Sequence, residues 1–82
     1  MRNRIRIDTV LQAEELAAIT SGLDGRITIT DNQGLTVNAK SVLGALHAME
    51  FNELWIESEN DIYMAIEPFI VVEPPIDTVT EV

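Results

Sequence analysis

Apolar residues first alternate with polar ones and then recur at helical spacing, and these switches of period mark out the elements of the chain. Ile5 and Ile7 alternate with Arg4, Arg6 and Asp8, the two-residue period of a strand with one buried face. From Gln12 to Leu23 the period lengthens. Ala13, Leu16, Ile19, Thr20 and Leu23 share one side of a helix, Glu14 and Glu15 suit its first turn, and Gly22 stands near its stop. Ile27 and Ile29 alternate with Arg26, Thr28 and Thr30 as a second strand. Asp31-Asn32-Gln33-Gly34 predicts a hairpin loop with a positive φ at Gly34, after which Leu35 and Val37 face inward on a third strand.

Ser41 is placed to cap a second helix, from about Ser41 to Met49, with Val42, Leu43, Leu46 and Met49 following at helical spacing. Leu54 and Ile56 point inward on a fourth strand and leave Glu53, Trp55 and Glu57 on its other face. Asn60 is the expected cap of a third helix with Ile62, Ala65, Ile66, Phe69 and Ile70 as its stripe. Pro68 interrupts that stripe. It either ends the helix near Ile66 or Glu67, leaving Phe69 to Val72 extended, or kinks it. The predicted order is β-α-β-β-α-β-α. Each strand has one apolar face, so the fold class is α+β: an open-faced, four-stranded antiparallel sheet with helices on one side only.

Charge changes the picture more than composition does. The 82 residues carry a net charge of -9, and all five cations (Arg2, Arg4, Arg6, Arg26 and Lys40) lie before Leu46. They are balanced there by Asp8, Glu14, Glu15, Asp24 and Asp31, so the excess comes from the nine acids that follow Leu46. Such a surface repels phosphate backbones and argues against nucleic-acid partners. The chain has no cysteine, which removes disulfides and thiolate chemistry and suits a reducing compartment. No apolar run is long enough to span a bilayer, and the basic start lacks the apolar segment of a secretory signal, so a cytoplasmic location is expected.

The stretch Asn38-Ala39-Lys40-Ser41-Val42-Leu43-Gly44, together with the element order from Ile5 to Ile70, resembles HPr, the small phosphocarrier of the bacterial sugar phosphotransferase system. In that family a regulatory serine sits between a lysine and a Val/Ile-Leu/Met-Gly run. The resemblance implies an HPr-like domain over residues 1–72 followed by a flexible acidic tail over 73–82. It also exposes a departure. The family's phosphohistidine and an arginine-proline pair lie between the first strand and first helix, where this chain reads Asp8-Thr9-Val10-Leu11-Gln12-Ala13. Phosphoryl relay needs an imidazole that attacks and leaves readily, and an alkoxide from Thr9 is too poor a leaving group. The expectation is a degenerate, non-catalytic member that binds a protein partner, with no cofactor and no metal.

Individual residues carry two readings each. Ser41 is an ordinary helix cap, and the resemblance adds regulatory phosphorylation by a protein kinase, with Lys40 beside the phosphate. His47, the sole histidine, lacks a nucleophile or a second ligand in its local sequence and reads as a residue of a helix contact face. Val42, Leu43 and Leu46 occupy places comparable to those where HPr meets its partners. Of these, Leu43 and His47 are expected to be exposed, and Val42 or Leu46 to be core. Strand parity puts Trp55 with Arg4 and Arg6 on the open face, where a cation–π contact would shelter it; a partner or dimer contact is the alternative. An exposed edge at the first strand or at Phe69 to Val72 would suit a homodimer. A structural oligomer of phage or mobile-element origin is the remaining reading.

Overall fold

A computed structural model describes residues 1–72; the tail expected over 73–82 lies outside the described residues. The elements run β1 (Arg2–Arg4), α1 (Val10–Ser21), β2 (Ile27–Thr30), β3 (Thr36–Asn38), α2 (Val42–Ala48), β4 (Trp55–Ser58) and α3 (Tyr63–Ile66), with a 3₁₀ turn at Glu67–Phe69. The expected layout, a four-stranded antiparallel sheet in a β-α-β-β-α-β-α chain, is the one observed, and the strands lie in the order β1-β4-β2-β3. Because β4 is antiparallel to both β1 and β2, those two are parallel to each other with β4 inserted between them. The same holds for β3 and β4 around β2. The sheet is thus two interlocked, split β-α-β units.

Register sorts the side chains into two faces. The row Ile56–Ile29–Val37 points toward the helices, and Ile56 and Ile29 are fully buried there. The rows Arg4–Trp55–Thr30–Thr36 and Arg2–Glu57–Thr28–Asn38 lie on the open face. Leu16, Ala13 and Ala17 of α1, Ala45 and Ala48 of α2, and Ile62, Ile66 and Phe69 close the core from the other side. Apolar burial of this kind stabilises by about 25 cal/mol per Å², and it is the main attraction holding so small a domain together.

Several expectations need correction. Helix α1 begins two residues early, because Thr9 caps it: its hydroxyl accepts the Gln12 N–H at 3.1 Å, and the Gln12 side chain accepts the Asp8 N–H at 2.6 Å. This is a variant of the capping box, and it moves Glu14 and Glu15 out of the first turn. Leu35 does not face inward; it is 55% exposed at the end of the hairpin loop, and Val37 is half-buried. The loop itself is as expected, with Gly34 at a φ of 112° and Asp31 accepting the N–H groups of Gln33 and Leu35. Asn60 does not cap α3. Its amide instead donates to the Asp24 carbonyl at 3.3 Å, while Asp61 accepts the Tyr63 N–H at the helix start.

Pro68 ends α3 at Ile66 by sitting in the 3₁₀ turn, after which Ile70 is extended. The exit segment then runs along the first strand. Ile5 bridges Ile70, the Arg6 N–H donates to the Phe69 carbonyl at 2.9 Å, and the Val71 N–H donates to the Arg4 carbonyl at 2.9 Å. The two edges expected to join separate copies are paired with each other within one chain.

Helix α2 meets β3 at a close corner. A Cβ on Gly44 would press into the carbonyl oxygen of Asn38, so only glycine fits this position. Replacing a helical glycine by alanine ordinarily gains about 1 kcal/mol of propensity. Here the forced displacement, on the order of 1–3 kcal/mol, outweighs it. Gly44→Ala is therefore expected to lower the urea midpoint; a raised midpoint would show that the corner relaxes freely.

Deleting the chain after Glu67 removes Phe69, only 6% exposed, and the pairing along β1. Loss of a buried phenylalanine costs about 3–5 kcal/mol, so the truncated chain should be largely unfolded by circular dichroism. A wild-type melting curve would contradict the role given to this segment.

Candidate docking face

The residues around Ser41 are tied down one by one. The Ser41 hydroxyl accepts the Gly44 N–H at 3.1 Å, with the serine backbone extended at φ -100° and ψ 130° as a cap requires. The Lys40 ammonium donates to the Leu23 carbonyl at 2.7 Å, just beyond the end of α1. The buried Thr20 hydroxyl lies 2.7 Å from the Ala39 carbonyl, and the Asn38 side chain accepts the Lys40 N–H at 2.9 Å. Lys40 is thus engaged with the helix before it, and Ser41 with the helix it starts.

These contacts join the end of α1 to the start of α2. At the other end, Asp8 and Met49 line one depression, so the two helices run antiparallel in one layer. Helix α2 turns only Ala45 and Ala48 fully inward, because its close approach leaves room for methyl groups alone. Its larger apolar side chains point elsewhere. Leu43 is 76% exposed and His47 is exposed, as expected, and Leu46 is half-buried against the core. Of the two residues expected to share the core role, Leu46 takes it, and Val42, at 45% exposure, is a surface residue.

Leu43, Leu46, His47 and Glu50 line a shallow depression of about 420 Å³. The His47 ring lies 6.0 Å from that of Phe51, tilted by 52°. Among the described residues no three His, Asp or Glu side chains gather as metal ligands. No described helix is long and apolar enough to cross a membrane.

Two further exposed apolar residues, Val10 and Leu11, occupy the first turn of α1. With a helix expected to start at Gln12, both fall in the loop before it. The Thr9-x-x-Gln12 pattern would have placed them on the helix, off the face of Ala13, Leu16 and Thr20.

Trp55 is not part of this face. It sits half-buried on the opposite side of the sheet, with Arg2 stacked over its ring, while Arg6 pairs with Asp8. The Arg2 guanidinium lies 4.2 Å from the ring centroid, and its Nε is 2.9 Å from Glu57. A terminal nitrogen of Arg2 donates to the Asn32 side chain at 2.6 Å. Strand pairing brings Arg2 to the indole. Arg4 stands directly opposite Trp55, whereas Arg2 stands opposite Glu57 and reaches the indole diagonally. The indole N–H donates to Glu53 at 2.8 Å.

Arg2→Gln should shift Trp55 emission to longer wavelength and increase its quenching by acrylamide, with a loss of about 1 kcal/mol. Unchanged emission and quenching would mean that the guanidinium does not shelter the ring.

No protein-family model, curated protein or solved structure matches the chain.

Proposed function

We propose that this chain is a non-catalytic, HPr-like protein-interaction module that docks a partner through the outward side of α2. The observation that carries the reading is the inversion of that helix: alanines face the core, while Val42, Leu43 and His47 are left to solvent. Leaving large apolar side chains outside is unfavourable unless something covers them, and contiguous exposed apolar residues mark contact sites. The element order and the Asn38 to Gly44 stretch support the likeness to HPr. The residues Thr9, Val10 and Leu11 at the start of α1 speak against a phosphohistidine relay, since they offer no imidazole.

In this reading Lys40 and Ser41 belong to the scaffold that sets α2, Leu46 backs the contact residues, and Trp55 takes no part. The alternative of a phosphoacceptor at Ser41 would place a phosphate on a hydroxyl oxygen that already accepts the Gly44 N–H. The alternative of a structural oligomer predicts a mass above that of one chain.

One set of measurements separates these readings. Incubation with the general phosphotransferase enzyme and phosphoenolpyruvate should leave the intact mass unchanged; an acid-labile phosphate on His47 would overturn the reading. Leu43→Glu should keep a melting temperature close to wild type, because the side chain is in water, while abolishing capture of the partner found with the wild-type chain. If Leu43→Glu binds as well as wild type, α2 is not the docking face.

A further inference from the structure

We propose that the outer face of α1 and α2 receives a cationic amphipathic segment of another protein, one that sets apolar side chains against Leu11, Val42 and Leu43 and lysines or arginines against Glu14, Glu15 and Glu50. The inference rests on α2 being a docking face, and it adds the chemistry of what docks.

Cations in this fold are kept out of helices α1 and α2. Helices α1 and α2 and the residues just after them hold Glu14, Glu15 and Glu50 and no lysine or arginine. All four arginines lie outside the helices, Arg2 and Arg4 on β1 and Arg6 and Arg26 in flanking segments. The fifth cation, Lys40, spends its ammonium on the Leu23 carbonyl. The apolar surface of the helix layer is therefore bordered by carboxylates with no cation of its own to neutralise them.

The acids are interleaved with the apolar residues. Glu14 and Glu15 follow Leu11 by three and four positions, which places them beside it on the helix surface. All three are exposed. Glu50 shares the depression of Leu43, Leu46 and His47. Because α1 and α2 are antiparallel, the first turn of α1 lies toward the end of α2, where His47 and Glu50 stand. An apolar side chain entering the depression would bring its neighbours within reach of these carboxylates. A helix with apolar anchors and basic flanks has that pattern.

Other occupants fit less well. Phosphate-bearing polymers and anionic lipid surfaces are repelled by the same carboxylates. A second copy would have to offer its arginines, but Arg2 is engaged with Glu57 and Asn32 and Arg6 with Asp8, and the exposed Arg26 is set against a net charge of -9 on each molecule.

The test uses the full chain and a fluorescein-labelled synthetic helix of leucine and lysine, with a matched peptide carrying glutamate in place of lysine. The lysine peptide should shift the amide resonances of Leu11, Glu15, Leu43, His47 and Glu50, and its binding should weaken about tenfold from low to physiological salt. The combined Glu14→Gln, Glu15→Gln and Glu50→Gln variant should bind about tenfold more weakly and lose most of that salt dependence, with the remaining spectrum unchanged. Leu43→Ser should weaken binding at every salt concentration.

Equal binding of the glutamate peptide at Leu43 overturns the cationic partner and leaves the docking face standing. Unchanged binding by the triple glutamine variant does the same. Shifts confined to Arg2 and Trp55, or no shift at Leu43 with either peptide, overturn both. Concentration-dependent shifts at Leu43 without peptide, with a dimeric mass by light scattering, assign the face to a second copy and overturn the inference.

Discussion

The arrangement depends on one point of contact, where the backbone of α2 at Gly44 lies against the carbonyl of Asn38. That approach sets the distance from α2 to the sheet and so decides which side chains the helix can turn inward. Only alanine methyls fit beneath it, at Ala45 and Ala48. The larger residues of the same helix are displaced to its margins and outer side. The neighbouring bonds hold the corner from three directions: Thr20 from within α1, Lys40 from across to Leu23, and Ser41 along α2 itself. Together they make the Asn38 to Gly44 stretch a joint in which nearly every residue has a mechanical duty. A resemblance carried by that stretch is thus evidence of how two elements meet before it is evidence of regulation.

The open face of the sheet follows a different economy. Without helices above it, a strand face normally presents polar residues to water. Here the first strand reaches over β4 with Arg2, which stacks on Trp55 and bonds both Glu57 and the hairpin residue Asn32. One side chain ties two strands and a loop, and Thr30, opposite Trp55, becomes buried although no second layer covers it. The pairs are partly exposed, so each adds little alone. Their effect is to fix the indole in place and to keep the two molecular faces distinct.

Element type and order were legible in the sequence because period changes are local: Ile27 and Ile29 can only alternate, and Leu16 and Thr20 can only recur as a helix does. The cap at Ser41 was legible; the one at Thr9 was hidden although it also bonds its own helix, and a third was misread because its bond goes elsewhere. Asn60 looks like a cap but serves Asp24, a contact between residues 36 apart in the chain. Exposure on α2 was legible only in part. Helical spacing gives Leu43 and His47 as outward residues but leaves Val42 and Leu46 undivided, because spacing does not report how closely a helix approaches its sheet. The stacking of Arg2 on Trp55 was likewise hidden, since it turns on strand register. Of the candidate face, α2 was anticipated and the first turn of α1 was not.

The placement of β4 between β1 and β2 has a consequence for the order in which this molecule comes into being. Arg2 finds its partner Glu57 only 55 residues later, and β2 finds the same strand some thirty residues on. On a ribosome, β1 and β2 emerge early as parallel strands with nothing between them and no bond to share. Hairpin β2–β3 and helix α1 can form locally, but the sheet stays open down its middle until β4 arrives and completes both ladders at once. The nascent chain therefore passes through a period with two unsatisfied strand edges. β4 closes both ladders, and the segment through Phe69, which seals the core, follows it.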